Sequence, residues 1–246
     1  MESFFNTLLV TTLTPGDVVG FTFFTGYMAM LAATVFFLYE RQRVEGKWKL
    51  SLLVSALITG IAGVHYYYMR DVYTSTGNSP TEYRYIDWTL TVPLMCVEFY
   101  LLMRPYGAKL ALMWRLILAA VVMLVAGYIG ESIQRDQNVL WGVVSTLGWA
   151  YIVYEIFFGS VAKMSKTGSD ENINKAVRLL RLFVFIGWAI YPIGYMLLPG
   201  NLLDGVMPVS SMDLIYNIGD AVNKIGFGLV IYSMASKTIQ EKVAVA

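Results

Sequence analysis

Long apolar runs alternate with short polar segments along the whole chain. Runs close to the roughly 20 residues that a helix needs to cross a bilayer recur at about 17–39, 48–69, 82–103, 109–130, 139–158, 175–198 and 209–236. They predict an all-α membrane protein, a bundle of seven transmembrane helices. Polar punctuation separates the runs, as in ERQRVEGKWK after the first, TSTGNSPTE before the third and SKTGSDENINK before the sixth,. None of these segments is long enough for a second domain, so residues 1–246 read as one seven-helix domain. The N-terminal stretch SFFNTLLVTTLTP is apolar for only a few residues and lacks a basic leader, so no cleaved signal peptide is indicated,.

Basic residues in short loops stay preferentially on the cytoplasmic side. Arg41, Arg43, Lys47 and Lys49 follow the first run, Arg104 and Lys109 the third, Lys163, Lys166 and Lys175 the fifth, and Lys237 and Lys242 the seventh. Only Arg70 and Arg135 fall in loops of the other side. This bias places the N-terminus outside and the C-terminus in the cytoplasm, with runs three, five and seven directed inward.

Composition agrees: 57% hydrophobic and 14% charged residues with mean hydropathy +0.58 are too apolar for a water-soluble domain of this length,. A net charge of +1 gives no basic surface for phosphates, so no nucleic-acid partner is expected,. One cysteine, Cys96, and one histidine, His65, leave too few ligands for a disulfide or a transition-metal site,.

Charges inside the runs carry the chemistry, because each costs roughly 2.5–3.5 kcal/mol at the bilayer centre when uncompensated. In IYNIGDAVNKIGFG, Lys224 lies mid-run and Asp220 four residues earlier, one turn outward on the same face,. One reading is a structural ion pair. The other is an amine poised to condense with an aldehyde cofactor, which also needs carboxylates beside it. The third run, EYRYIDWTLTVPLMCVEFYLLM, holds Arg84, Asp87, Thr91 and Glu98. Steps of four and eleven residues from Asp87 return Thr91 and Glu98 to within ~40° of its face, with about 16 Å along the axis between the two acids. Two carboxylates at different depths can differ in protonation at rest, which is the layout of a proton relay. The structural alternative pairs Arg84 with Asp87 and lets Glu98 snorkel to the headgroups.

RYIDWTLTVPLMCVEFYLL and LIYNIGDAVNKIGFGL resemble the third and seventh helices of the proteorhodopsin-like microbial (type 1) rhodopsins, bacterial light-driven proton pumps. The likeness extends through WKLSLLVSALITGIAGVHYYYMRDVY, GYIGE and FIGWAIYPIGY in the same order. It implies that Lys224 carries all-trans retinal as a protonated Schiff base. Asp87 would be counterion and primary proton acceptor, Asp220 the second counterion, and Arg84 their outer neighbour. Thr91 would take the middle of the three-residue motif and Glu98 the role of cytoplasmic proton donor. His65 matches a histidine that modulates the acceptor; taken alone, it reads as a hydrogen-bonded interior residue.

The same resemblance places Trp88, Trp188, Tyr191 and Pro192 around the polyene, with Met95, Met123, Ser145, Thr146 and Trp149 completing the pocket. An apolar Met95 would favour green absorption. Gly142 matches a position that is glycine in relatives with an antenna carotenoid, although a packing glycine reads equally well there. The resemblance further implies a bacterial inner membrane, protons as cargo and a homo-oligomeric ring of five or six chains. The outer segment PGNLLDGVMPVSSMD shows no pair of glutamates for proton release, leaving Glu131 or water. The rival functions are a photosensor signalling through a partner, a sodium or chloride pump, which should depart from the Asp87, Thr91, Glu98 pattern, and a transporter without chromophore.

Overall fold

A computed structural model describes residues 15–167 and 171–245. The short N-terminal apolar stretch before Pro15, and residues 168–170 of the loop before the sixth run, lie outside the described residues. The helices are α1 (Val18–Glu40), α2 (Lys47–Thr76), α3 (Thr81–Met103), α4 (Leu110–Tyr128), α5 (Asn138–Phe157), α6 (Ser160–Thr167), α7 (Glu171–Leu182), α8 (Ile190–Met196) and α9 (Val209–Val245), and no strand occurs among the described residues. Seven helical stretches are long and apolar enough to cross a membrane. The fifth continues from α5 into α6, and the sixth joins α7 to α8.

Local chemistry sets the ends. Asp17 caps α1, its carboxylate accepting from Gly20 N–H at 2.8 Å,. α2 stops at Gly77, whose φ of +69° suits glycine and whose N–H donates to the Tyr73 carbonyl at 2.8 Å,. The apolar run fades near residue 69, but nothing before Gly77 breaks the helix. Arg70, expected in a loop, therefore sits buried in α2 over the Phe24 ring. Lys163 and Lys166, expected between spans, lie on α6. The α5 to α6 turn is held by Glu155, which accepts from Ser160 N–H at 2.9 Å and pairs with Arg115 at 3.2 Å.

Sequence neighbours pack in order from α1 to α5, and α9 closes the ring against α1, α2 and α7. The third span is the innermost, 67% buried against 22% for the fifth. Arg84, Asp87 and Glu98 of α3 therefore point into protein, whereas Val35, Leu118, Val143 and Leu147 are exposed, as lipid-facing side chains must be,. Where α1 and α2 meet, small residues bring the backbones close and the Thr34 and Thr59 hydroxyls share a 2.8 Å hydrogen bond,.

Two π-helical turns interrupt the regular pattern, Ile129–Ile133 after α4 and Phe183–Gly187 between α7 and α8. A π turn frees carbonyls from the helical ladder, and in lipid each unsatisfied group costs several kcal/mol. In the second turn Trp149 Nε1 donates to the Val184 carbonyl at 3.1 Å and Asn223 Nδ2 to the Gly187 carbonyl at 3.0 Å. Both donors come from other spans, so the distortion is fixed by tertiary contacts.

Candidate functional site

Asp220 and Lys224 stand one turn apart on α9, and α3 brings Asp87 to the same point. Lys224 Nζ lies 3.0 Å from Asp87 Oδ2 and 3.0 Å from Asp220 Oδ2, and all three side chains are buried. The two acids differ in their surroundings. Asp220 accepts from Tyr66 Oη at 2.7 Å, from Trp88 Nε1 at 3.0 Å and from Tyr191 Oη. Among the described residues no side chain besides Lys224 donates to Asp87; its contacts are the ion pair with Lys224 and His65 Nδ1 at 3.8 Å from Oδ1. A carboxylate held by three donors is a fixed counter-charge, whereas one without donors has open acceptor capacity. Asp87 is therefore the better placed of the two to take a proton from Lys224.

Thr91, one turn further along α3 towards Glu98, donates its hydroxyl to the Asp87 backbone carbonyl at 2.9 Å. Glu98 is fully buried facing Ser51 of α2. It does not snorkel, because its depth and its direction into the bundle leave it no route to the surface. Two acids of α3 thus lie on one interior face, separated by about 16 Å along the axis.

Arg84 is buried, and its ion pair is with Asp213 at 2.8 Å, not with Asp87. It also donates to Asn217 Oδ1 at 2.8 Å and to Tyr66 Oη at 3.5 Å. Asp213 further accepts from Ser79 Oγ at 2.7 Å. The sequence reading missed Asp213, Asn217 and Tyr66. The signal was available, since 213, 217, 220 and 224 repeat at helical spacing and form one stripe of α9,. Glu131 lies apart in the first π turn, accepting from Tyr85 Oη at 2.7 Å.

His65 sits on α2 with Nδ1 also 2.8 Å from the Ile61 carbonyl, and its side chain is partly exposed. A cavity of about 350 Å³ is walled by Trp88, Met123, Ser145, Thr146, Trp149, Trp188, Tyr191 and Pro192, all expected pocket residues. Gly142 also lines it, and a Cβ there would come within 2.7 Å of the Tyr195 ring. Met95 is buried on α3 but is not among the residues lining the cavity. Trp88 and Tyr191 of the cavity wall are also side chains that donate to Asp220.

A buried lysine clamped by two carboxylates, one of them held by Trp88 and Tyr191 of an aromatic-walled cavity, inside seven helices long and apolar enough to cross a membrane, defines a multi-pass membrane protein with a polar site in its interior. Residues 17–238 match the family of bacteriorhodopsin-like proteins, and the chain belongs to that family. It is 44% identical over 223 residues to a blue-light absorbing proteorhodopsin of Gamma-proteobacterium Hot 75m4, covering 90% of this chain and 87% of the relative. It is 42% identical over 228 residues to a green-light absorbing proteorhodopsin of Gamma-proteobacterium EBAC31A08, covering 92% and 89%. Among solved structures, xanthorhodopsin, a light-driven ion pump with dual chromophore, superposes with TM-score 0.80 at 32% identity, covering 94% of this chain and 97% of that one.

The family binds retinal, and the residues here fit it. The cavity volume lies in the range of small-molecule sites, roughly 300–1,000 Å³, and its wall is aromatic and apolar. Lys224 supplies a primary amine without a well-angled hydrogen bond of its own.

Proposed function

We propose that the chain is a light-driven outward proton pump of a bacterial inner membrane, with retinal held on Lys224. The observation that carries this reading is the asymmetric triad: Lys224 Nζ lies 3.0 Å from both Asp87 and Asp220, and among the described residues three further side chains donate to Asp220 and none to Asp87. Bound retinal supplies a light-driven change of shape next to the Lys224 nitrogen. Every other step belongs to side chains. The proton at Lys224 Nζ passes to Asp87 Oδ2, neutralising an ion pair that moves as one coupled unit. Asp220 stays in place on its three donors and holds the remaining charge. Glu98, inward on the same face of α3, returns a proton to Lys224 Nζ. Thr91 ties the helix turn that lies between the two acids. His65 modulates Asp87 from 3.8 Å.

Orientation follows from the basic loops, which place the N-terminus outside and Glu98 towards the cytoplasm. A photosensor needs no carboxylate at position 98, so the buried Glu98 favours transport. The apolar Met95 favours green absorption, and protomers assemble as a ring of five or six.

Reconstitution tests the triad. Adding all-trans retinal should colour the wild type and Asp87→Asn but not Lys224→Ala. A flash should then deprotonate Lys224 Nζ, read as a transient blue-shifted band, in the wild type alone. Colour in Lys224→Ala, or an equal transient in Asp87→Asn, would overturn the assignment.

An antenna carotenoid is a second reading, favoured by the cavity wall at Gly142. Exposed Val139, Val143 and Leu147 line the cavity beside this glycine, so the opening faces the lipid side of α5. Added hydroxylated carotenoid should contribute an excitation band to pumping, lost in Gly142→Trp. An action spectrum unchanged by the carotenoid would sink this reading.

A further inference from the structure

The outer half of the bundle holds a carboxylate to which the pump mechanism gives no task. Asp213 is 4% exposed, accepts from Arg84 Nη2 at 2.8 Å and from Ser79 Oγ at 2.7 Å, and lies two turns outward of Asp220 on one stripe of α9. Arg84 is thereby turned away from the triad. Its guanidinium reaches Asp220 only through Tyr66, at 3.5 Å on one side and 2.7 Å on the other. One buried cation is therefore shared between two sets of anions, and the direct share belongs to Asp213.

We propose that Asp213 is a positioning residue: it holds Arg84 outward and so sets how strongly that cation acts on Asp87 and Asp220. The inference rests on the retinal-pump reading. The groups that face Asp87 are Lys224 and Asp220 of α9, His65 and Tyr66 of α2, and Tyr191 of α8. Those acting with Asp213 are Arg84 of α3, Tyr73 of α2, Tyr216 of α9, and Glu131 of the first π turn. Arg84 is the cation that links the two sets, because it acts on Asp213 directly and also on Tyr66 and Asp220, so loss of the Asp213 charge is felt at the triad chiefly through Arg84.

The test follows the visible band of the full-length pigment during acid titration. Protonating Asp87 removes the negative charge beside Lys224 and shifts the band to the red, so the band reports the charge on Asp87. In Asp213→Asn, Arg84 retains Asn217 and Tyr66 but loses its acid, and its uncompensated cation favours the ionised triad. The midpoint should move to lower pH by about one unit, with Asp213→Glu close to the wild type. A midpoint that stays, or that rises, overturns the proposal. If Asp213→Asn assembles no pigment, Asp213→Ser takes its place. Pigment in Asp213→Glu but in neither neutral variant would make Asp213 structural only and likewise overturn it. A wild type that takes up no retinal would instead bring down the pump reading, and this inference with it.

Discussion

Asp87 and Asp220 sit at equal distance from the same amine, yet their neighbourhoods assign them different work. Three donors converge on Asp220, and each hydrogen bond to a charged group is worth about 1.5–3 kcal/mol,. Removing one, as in Tyr66→Phe, should lower the thermal stability of the pigment by about that amount, and calorimetry would check it. Glu98 is the residue whose loss should be most selective. A positioned proton donor contributes about 10²–10⁴-fold, so Glu98→Gln should slow recovery of the pigment after a flash by at least about 10²-fold while leaving its colour unchanged. Recovery at the wild-type rate would remove Glu98 from the relay. The Asp87, Thr91 and Glu98 face was legible from spacing alone, because three polar residues in an apolar helix must share a side. Asp213 was legible in the same way, on a stripe with Asn217, Asp220 and Lys224, but an acid so near the end of its run reads as an interfacial charge until its partner Arg84 is seen.

At the scale of elements, seven apolar runs sufficed to read the helices, since the bilayer leaves few other options. What escaped was where helices end and bend. α2 outlasts its apolar run because HYYYMRDVYT is polar but contains no breaker before Gly77. The π turns leave no local mark in composition; at Phe183–Gly187 side chains of other spans take up the Val184 and Gly187 carbonyls. The turn at Phe183–Gly187 is closed by Asn223, the neighbour of Lys224, whose amide oxygen would overlap a Cβ placed on Gly187. Gly187→Ala should therefore destabilise the protein by about 1–3 kcal/mol, the usual cost of overpacking, seen as a lower bleaching temperature. An unchanged bleaching temperature would show the contact to be slack.

For the whole molecule, the buried charges of α3 and α9 form one axis through the bundle, from Asp213 and Arg84 at one end, through the Lys224 triad, to Glu98. An axis of this kind gives a direction only if the chain is inserted one way round, and the basic loops are the basis of the orientation proposed above. The most direct measurement is the pH of an unbuffered suspension of cells expressing the chain with all-trans retinal, recorded on illumination with and without a protonophore. The account predicts acidification of the medium that the protonophore abolishes and that is absent in Asp87→Asn. A coloured protein that leaves the pH unchanged, or that makes the medium alkaline, would contradict it.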